Sequence, residues 1–247
     1  MKTIILNGSP RRNWNTAQLL KEAQRGAESA GAEVEYIDLY SLNYSGCRSC
    51  LACKRKGIAE PCKCYWKDEL TPVLEKIWQA DRLIAGAPIY YSEPASGMRA
   101  LLERVAFPAM SYNDYSSVFK GRVDADIFLT MNAPMQYYRQ VYEGRMQEYF
   151  APLRFLNGQV RIFPVCDTLQ VRDYSKYDMA GFSEEHKKAV HDAEFPKLLE
   201  QAFKIGAACA PNRETLMAMN EAESIARDPD ARRYSDVEEA LKALKEE

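Results

Sequence analysis

The sequence predicts an α/β domain built on a parallel sheet covered on both faces, and three observations predict it. Short apolar runs alternate with longer segments of helical periodicity five times along the chain, the pattern of successive strand–helix units. At 47% hydrophobic and 28% charged residues, the 247-residue chain has enough apolar material for a full core, in one large domain or two small ones. No internal repeat, low-complexity tract or Gly/Ser linker interrupts the alternation.

Lys2–Asn7 is a short apolar run and reads as a buried strand. After the turn-like Gly8-Ser9-Pro10, the residues Ala17, Leu20, Ala23, Ala27 and Ala30 recur at three-to-four spacing, which predicts a helix. Glu33–Asp38 alternates and is rich in β-formers, so it is the second strand. Residues 67–79 read as a helix and 82–87 as the third strand. A helix capped at Ser96 or a neighbour runs from there to about Phe107. Residues 124–131 are the fourth strand, 138–155 a helix and 159–165 the fifth strand. Residues 183–208 are strongly helical, and Pro196 is expected to kink or divide them. The charged segment Pro211–Glu247 reads as a peripheral helical extension, with Ser235 capping residues 236–245.

Charge and cysteine usage narrow the function classes. Lys and Arg total 33 against 35 Asp and Glu, a net charge of −2, so no strong field points at nucleic acid or a membrane surface. The longest apolar runs, near Ile4–Leu6 and Leu83–Pro88, are far too short to span a bilayer. Seven cysteines, an odd number behind a start with no signal-peptide pattern, point to a reducing cytoplasm rather than a disulfide scaffold.

In an open parallel sheet, ligands bind at the carboxyl ends of the strands, so the loops after Asn7, Asp38, Ala87 and Met131 are the ones to inspect. The first, Gly8 to Thr16, has one glycine and matches neither the dinucleotide fingerprint nor a P-loop. It does hold two arginines with Ser9, Asn15 and Thr16 where a helix begins. Backbone N–H groups and the positive helix end suit a phosphate there, with Arg11 adding full charge. The competing reading is a helix start whose Ser, Asn and Thr serve only as caps. The third strand leads into Pro88, Ile89, Tyr90 and Tyr91, a stiff loop able to lay amides and an aromatic face along a flat heterocycle.

The cysteine segment is unusual. Cys47, Cys50 and Cys53 stand at C-x2-C-x2-C spacing, followed by Cys62 and Cys64. That spacing lets three thiolates converge, as in iron–sulfur proteins, with Cys64 or Cys62 as the fourth ligand. Bare redox-labile thiols and a zinc site are the alternatives, although structural zinc usually pairs two separated knuckles. Cys166 and Cys209 stand alone and read as ordinary buried residues. His186 and His191 lie in a charged helical stretch and read as surface residues.

Three sets of residues together resemble the NADPH-dependent FMN reductase family, and within it the iron–sulfur flavoproteins. They are the Gly8-Ser9-Pro10-Arg11 loop with Asn15-Thr16, the Cys47/Cys50/Cys53 run with Cys64 before Asp68-Glu69-Leu70, and Ala87–Tyr90 leading to Gly97–Arg104. The likeness spans residues 1 to about 210. It implies a flavodoxin-like, doubly wound five-stranded sheet of order 2-1-3-4-5 that binds FMN over residues 1–210, followed by the extension. It implies that Ser9, Arg11, Asn15 and Thr16 hold the FMN phosphate and that Pro88, Ile89, Tyr90 and Tyr91 line the ring. It also implies a 4Fe-4S cluster on Cys47, Cys50, Cys53 and Cys64, and a homodimer or homotetramer with the flavin near a subunit interface. The long spacer from Cys53 to Cys64 departs from the compact family motif, and Cys62 competes for the fourth place.

The expected function is an FMN-dependent oxidoreductase that takes hydride from NAD(P)H and passes electrons to flavin, quinone or another small acceptor. The competing class is an electron-transfer module serving a ferredoxin-like protein. Arg48, Lys54, Arg55, Lys56, Lys63 and Lys67 make the cysteine loop locally basic, which would steer an acidic partner or meet a nicotinamide 2′-phosphate.

Overall fold

A computed structural model describes residues 1–57 and 59–208 of the chain. Five parallel strands form its sheet: β1 (Lys2–Asn7), β2 (Glu33–Asp38), β3 (Arg82–Tyr90), β5 (Val123–Thr130) and β6 (Asn157–Val165). Their order is β2-β1-β3-β5-β6, and a two-residue β4 (Glu93–Pro94) pairs antiparallel with the end of β3. Leaving out that ribbon, this is the flavodoxin-like 2-1-3-4-5 order, with the chain reversing direction across the sheet between β1 and β3.

Burial along each strand follows from its place. Ile4, Ile5 and Leu6 of β1 are fully buried, and every residue of β5 is buried, because helices cover both faces of the central strands. The edge strands β2 and β6 are half-exposed and keep polar residues such as Glu33, Gln159 and Arg161.

Helix α1 (Asn15–Ser29) and the long α6 (Glu184–Ala207) share one face of the sheet, burying Leu19, Leu20 and Ala23 with Phe195 and Ala202. The two helices touch backbone to backbone. A Cβ on Gly26 would lie 2.0 Å from Phe203 O, and one on Gly206 would lie 1.9 Å from Ala23 O. Gly206→Ala must therefore push the helices apart, and a loss of about 2–3 kcal/mol is expected in urea unfolding. A variant as stable as the parent would contradict this packing.

On the other face lie α2 (Thr71–Trp78), α3 (Ser96–Ala106) and, after the short turn α4 (Met135–Tyr137), helix α5 (Glu143–Phe150). Three helical expectations change in detail. The helix predicted over 67–79 starts only at Thr71, because Asp68 accepts from Leu70 N at 3.1 Å and Pro72 sits in the first turn. The helix predicted over 138–155 is a composite: α4, a π-helical stretch Tyr138–Tyr142, α5, then 3-10 turns Ala151–Leu156 where Pro152 ends the regular ladder. Pro196 does not divide α6, which runs unbroken for 24 residues. It lies on the exposed side, where water can take the carbonyl it leaves unpaired.

The buried pair Arg82–Asp126 links sheet and helix. Arg82 Nε donates to Asp126 at 2.7 Å, and its Nη atoms reach the carbonyls of Ile205, Gly206 and Ala208 at the end of α6. The predicted extension, with its Ser235 cap and the helix at 236–245, and Cys209 lie outside the described residues.

Candidate functional site

Two concave sites gather the residues that the sequence singles out, and the first lies at the carboxyl edge of the sheet. The first is a cleft of about 170 Å³ between the loop after β1, the end of β3 and the segments that follow β5 and β6. Ser9, Arg11, Asn15 and Thr16 line it together with Pro88, Ile89 and Tyr90. Tyr91 is not part of it. That residue is fully exposed at the tip of the β3–β4 turn, where Tyr91 and Ser92 both adopt positive φ.

The loop after β1 is set by its own polar residues. Gly8 N donates to Gly86 O at 2.7 Å, joining the loop to β3. Asn7, anchored to Asp38 at 2.7 Å, accepts from Ser9 N at 3.1 Å, and Ser9 Oγ accepts from Arg11 N at 3.1 Å. The chain then enters α1 at Asn15 without a side-chain cap and without an acidic residue in the first turn. Capping is thus not the role of Ser9, Asn15 or Thr16. The first N–H groups of this 15-residue helix have no side-chain cap, an arrangement that suits an anion. Arg11 donates to Gln170 O and bridges the loop to the opposite wall.

The opposite wall is one that sequence reasoning passed over. Thr168, Leu169 and Gln170, after β6, line the cleft with Thr130 at the end of β5 and Met131 and Asn132 after it. Asn15 Nδ2 and Trp14 Nε1 donate to Leu169 O at 2.8 and 3.1 Å, and Thr16 Oγ1 meets Thr130 Oγ1 at 2.8 Å. Two acceptors on this wall, Asn132 Oδ1 and Gln170 Oε1, are buried without a partner. A ligand with N–H or O–H donors would satisfy them, which is what a flavin ring and its ribityl chain offer. The signal was available, because the rule that ligands sit at strand carboxyl ends applies to Val165 as well as to the strands considered.

Asp167, at positive φ, anchors that wall by pairing with His186 Nε2 at 2.6 Å and with the buried Lys187. Burial pushes its carboxyl pKa up, but Lys187 and His186 outweigh it and hold it below the usual value. Because the folded value is depressed, this anchoring is complete above the unfolded carboxylate pKa of about 3.9 and is lost as pH falls through the folded value. An acid titration followed by circular dichroism should show this loss below about pH 4. Asp167→Asn should remove that part of the transition, and an unchanged acid limb would contradict the anchoring role. His186 is exposed, as read, and His191 stacks on Phe195 at 4.8 Å.

The second site is a small enclosed cavity of about 20 Å³ lined by Cys47, Cys50, Cys53 and Cys64, with Arg48, Trp66, Glu103 and Arg104. The loop from 44 to 47 is stapled to α3: Tyr44 OH donates to Gly97 O at 2.9 Å and Cys47 N to Glu103 at 3.1 Å. Cys62 does not line the cavity. Its N donates to Pro108 O at 3.4 Å, it packs against the apolar core, and burial pushes its thiol pKa up to about 11. Burial also raises Cys53, against the pull of Lys54, with the other three cavity thiols adding to the rise.

Among the described residues no three His, Cys, Asp or Glu side chains are gathered closely enough to hold a single metal ion. A tetrahedral zinc with Zn–S near 2.3 Å needs sulfurs roughly 3.8 Å apart. The ligands of a cubane bind separate irons and stand further apart, and four thiols around one cavity are the donor set such a cluster takes. Cys47 and Cys50 are exposed, so the outer side of the cavity is open to solvent.

The basic residues divide. Lys54 is drawn inward, donating to Phe107 O at 2.5 Å over the Phe107 ring at 4.6 Å, Arg48 lies on Trp66 at 4.3 Å, and Lys63 pairs with Glu60. Arg55, Lys56 and Lys67 are exposed. The expectation of six steering charges is thus reduced for Lys54, whose charge serves the loop's own carbonyls.

Fold and sites together define a doubly wound α/β domain with a ligand cleft at the carboxyl edge of its sheet and a thiol-lined cavity against α3. The chain belongs to the NADPH-dependent FMN reductase family, whose model matches residues 1–131, more than half of it. It is similar to an iron-sulfur flavoprotein of Methanocaldococcus jannaschii, 34% identical over 104 residues, or 42% of this chain and 51% of that one. An iron-sulfur flavoprotein of Methanosarcina thermophila is 27% identical over 104 residues, covering 42% of this chain and 52% of that one. The matched part thus spans about half the length of these curated relatives. Among solved structures, an NAD(P)H:quinone oxidoreductase from Methanothermobacter marburgensis shares the fold at TM-score 0.61 and 17% identity, over 84% of this chain and 96% of that one. No helix among the described residues is long and apolar enough to cross a membrane.

Proposed function

We propose that this chain is an FMN-dependent oxidoreductase that takes hydride from NAD(P)H and passes electrons to a flavin, a quinone or another small acceptor. One observation carries the reading: an uncapped helix start and the Pro88–Tyr90 segment line a single cleft. Bound there, FMN would supply hydride acceptance and one-electron release. The chain's part is to bind and orient. The α1 amides and Arg11 offer a phosphate its donors, Asn132 and Gln170 offer acceptors, and Pro88, Ile89 and Tyr90 supply a stiff flat border. Family membership and the names of the curated relatives support the flavin.

The four thiols support a second centre of iron and sulfur on Cys47, Cys50, Cys53 and Cys64, with Cys62 left to the core. That centre, beside exposed Arg55, Lys56 and Lys67, favours a second reading as an electron-transfer module for an acidic ferredoxin-like protein. Exposed Tyr40, Tyr90, Tyr91 and Phe182 border a wide concavity beside the cleft and support a homodimer or homotetramer closing over it. Stopped-flow mixing of the purified yellow protein with NADPH alone tests the main reading. Bleaching of the flavin within turnover time is expected. A flavin that stays oxidised until a reduced protein donor is added would leave the electron-transfer module, and a colourless protein would defeat both.

A further inference from the structure

A buried charge in the wall of the cysteine cavity has no role in the function proposed so far. Arg104, on α3, is 1% exposed and lines that cavity. Its Nη1 donates to Asp68 and, at 3.3 Å, to Ser45 O. Its Nη2 donates to Trp66 O at 2.9 Å and to Thr71 Oγ1 at 3.2 Å. Ser45 lies two residues before Cys47 and Trp66 two residues after Cys64, so one guanidinium grips both segments that deliver the thiols. Those four bonds fix its plane. The fifth N–H, on Nε, is buried and has no partner. A rigid, fully buried guanidinium rarely leaves a donor unpaired, and the cavity it lines is walled by four sulfurs.

We propose that Arg104 is a positioning residue of the cysteine site, whose Nε–H and charge face the sulfur of a cluster held by Cys47, Cys50, Cys53 and Cys64 and raise its reduction potential. The inference rests on the cluster reading above. Reduction adds negative charge to a cluster, and a nearby cation or an N–H donated to sulfur stabilises the reduced form. Asp68, ion-paired to the same guanidinium, offsets part of that charge. The two residues therefore act on the potential in opposite senses.

The test is an EPR-monitored redox titration of anaerobically reconstituted wild type, Arg104→Lys and Asp68→Asn, with bound flavin as the check that each chain is folded. Arg104→Lys should shift the one-electron equilibrium at least tenfold toward the oxidised form, a midpoint 59 mV more negative. Asp68→Asn should move it to more positive values. Reduced cluster occupancy with midpoints unchanged in both variants would mean that Arg104 is only a structural clamp, and would overturn the inference while leaving the cluster reading intact. If Arg104→Lys retains no cluster, Asp68→Asn decides: no positive shift overturns the proposal. Wild-type protein that takes up no iron overturns the cluster reading and this inference together.

Discussion

Replacing Arg11 and Thr16 together by alanine should weaken FMN binding about a hundredfold, since contacts to a charged group contribute about 1.5–3 kcal/mol each and Arg11 is exposed and partly screened. Arg11 supplies the full charge beside the α1 amides and its bond to Gln170 O draws the two walls of the cleft together. Thr16 is nearly fully buried, and its hydroxyl is paired with Thr130 at 2.8 Å. If Thr130 donates in that pair, the Thr16 proton is free for a phosphate oxygen. The double variant should still fold, at a cost of about 1–3 kcal/mol, because Thr130 loses its buried partner while the apolar core is untouched. Fluorescence titration of apo-protein with FMN measures the loss, and an unchanged affinity would remove the phosphate from this loop.

Cys50→Ser should abolish iron binding while leaving FMN bound. Cys50 is exposed, lines the cavity with the other three thiols and has no part in the apolar core, so its loss removes a ligand without a folding penalty. After anaerobic reconstitution the parent is expected to carry about four irons per chain, and less iron when prepared in air, as befits a four-cysteine cluster at the surface. The variant should fall to background with flavin content unchanged, since the two sites use different loops. Cys62→Ser should keep its iron, because Cys62 packs against the core and not into the cavity. Iron and flavin assays on the same samples decide the matter. Loss of flavin along with iron would contradict the separation of the sites.

Much of this was legible in the chain because its signals are local. Lys2–Asn7 and Glu33–Asp38 are strands with the bounds their residues suggest, since an apolar run in the sheet's centre and an alternating one at its edge each have a distinctive period. β3 runs on to Tyr90, past the predicted end at Ala87, through Pro88, whose missing N–H argues against a strand. The ladder with β5 continues through Pro88 opposite Thr130, and β4 then pairs with Ile89 and Tyr90. The π-helical stretch Tyr138–Tyr142 has no sequence signature, and Pro152, where α5 gives way to 3-10 turns, is a signal that the helix predicted over 138–155 passes over. At the sites, residue type singles out Ser9, Arg11 and the spaced cysteines, and the structure brings them to two cavities. The wall from Thr168 to Gln170 follows the last strand and lay open to the carboxyl-end rule, whereas the guanidinium of Arg104 went unread because its contacts are tertiary. Each reaches its site across long stretches of chain, from Leu169 to Asn15 and from Arg104 to Asp68.

A crystal structure of the anaerobically purified chain with FMN tests the central claim most directly. The account predicts the flavin phosphate within hydrogen-bond distance of the amides at the start of α1, the ring against Pro88, Ile89 and Tyr90, and donors of the cofactor on Asn132 Oδ1 or Gln170 Oε1. A flavin phosphate seated elsewhere, such as the neighbouring cavity walled by Arg12, Arg172 and Lys176, with the α1 amides left to water, would contradict it.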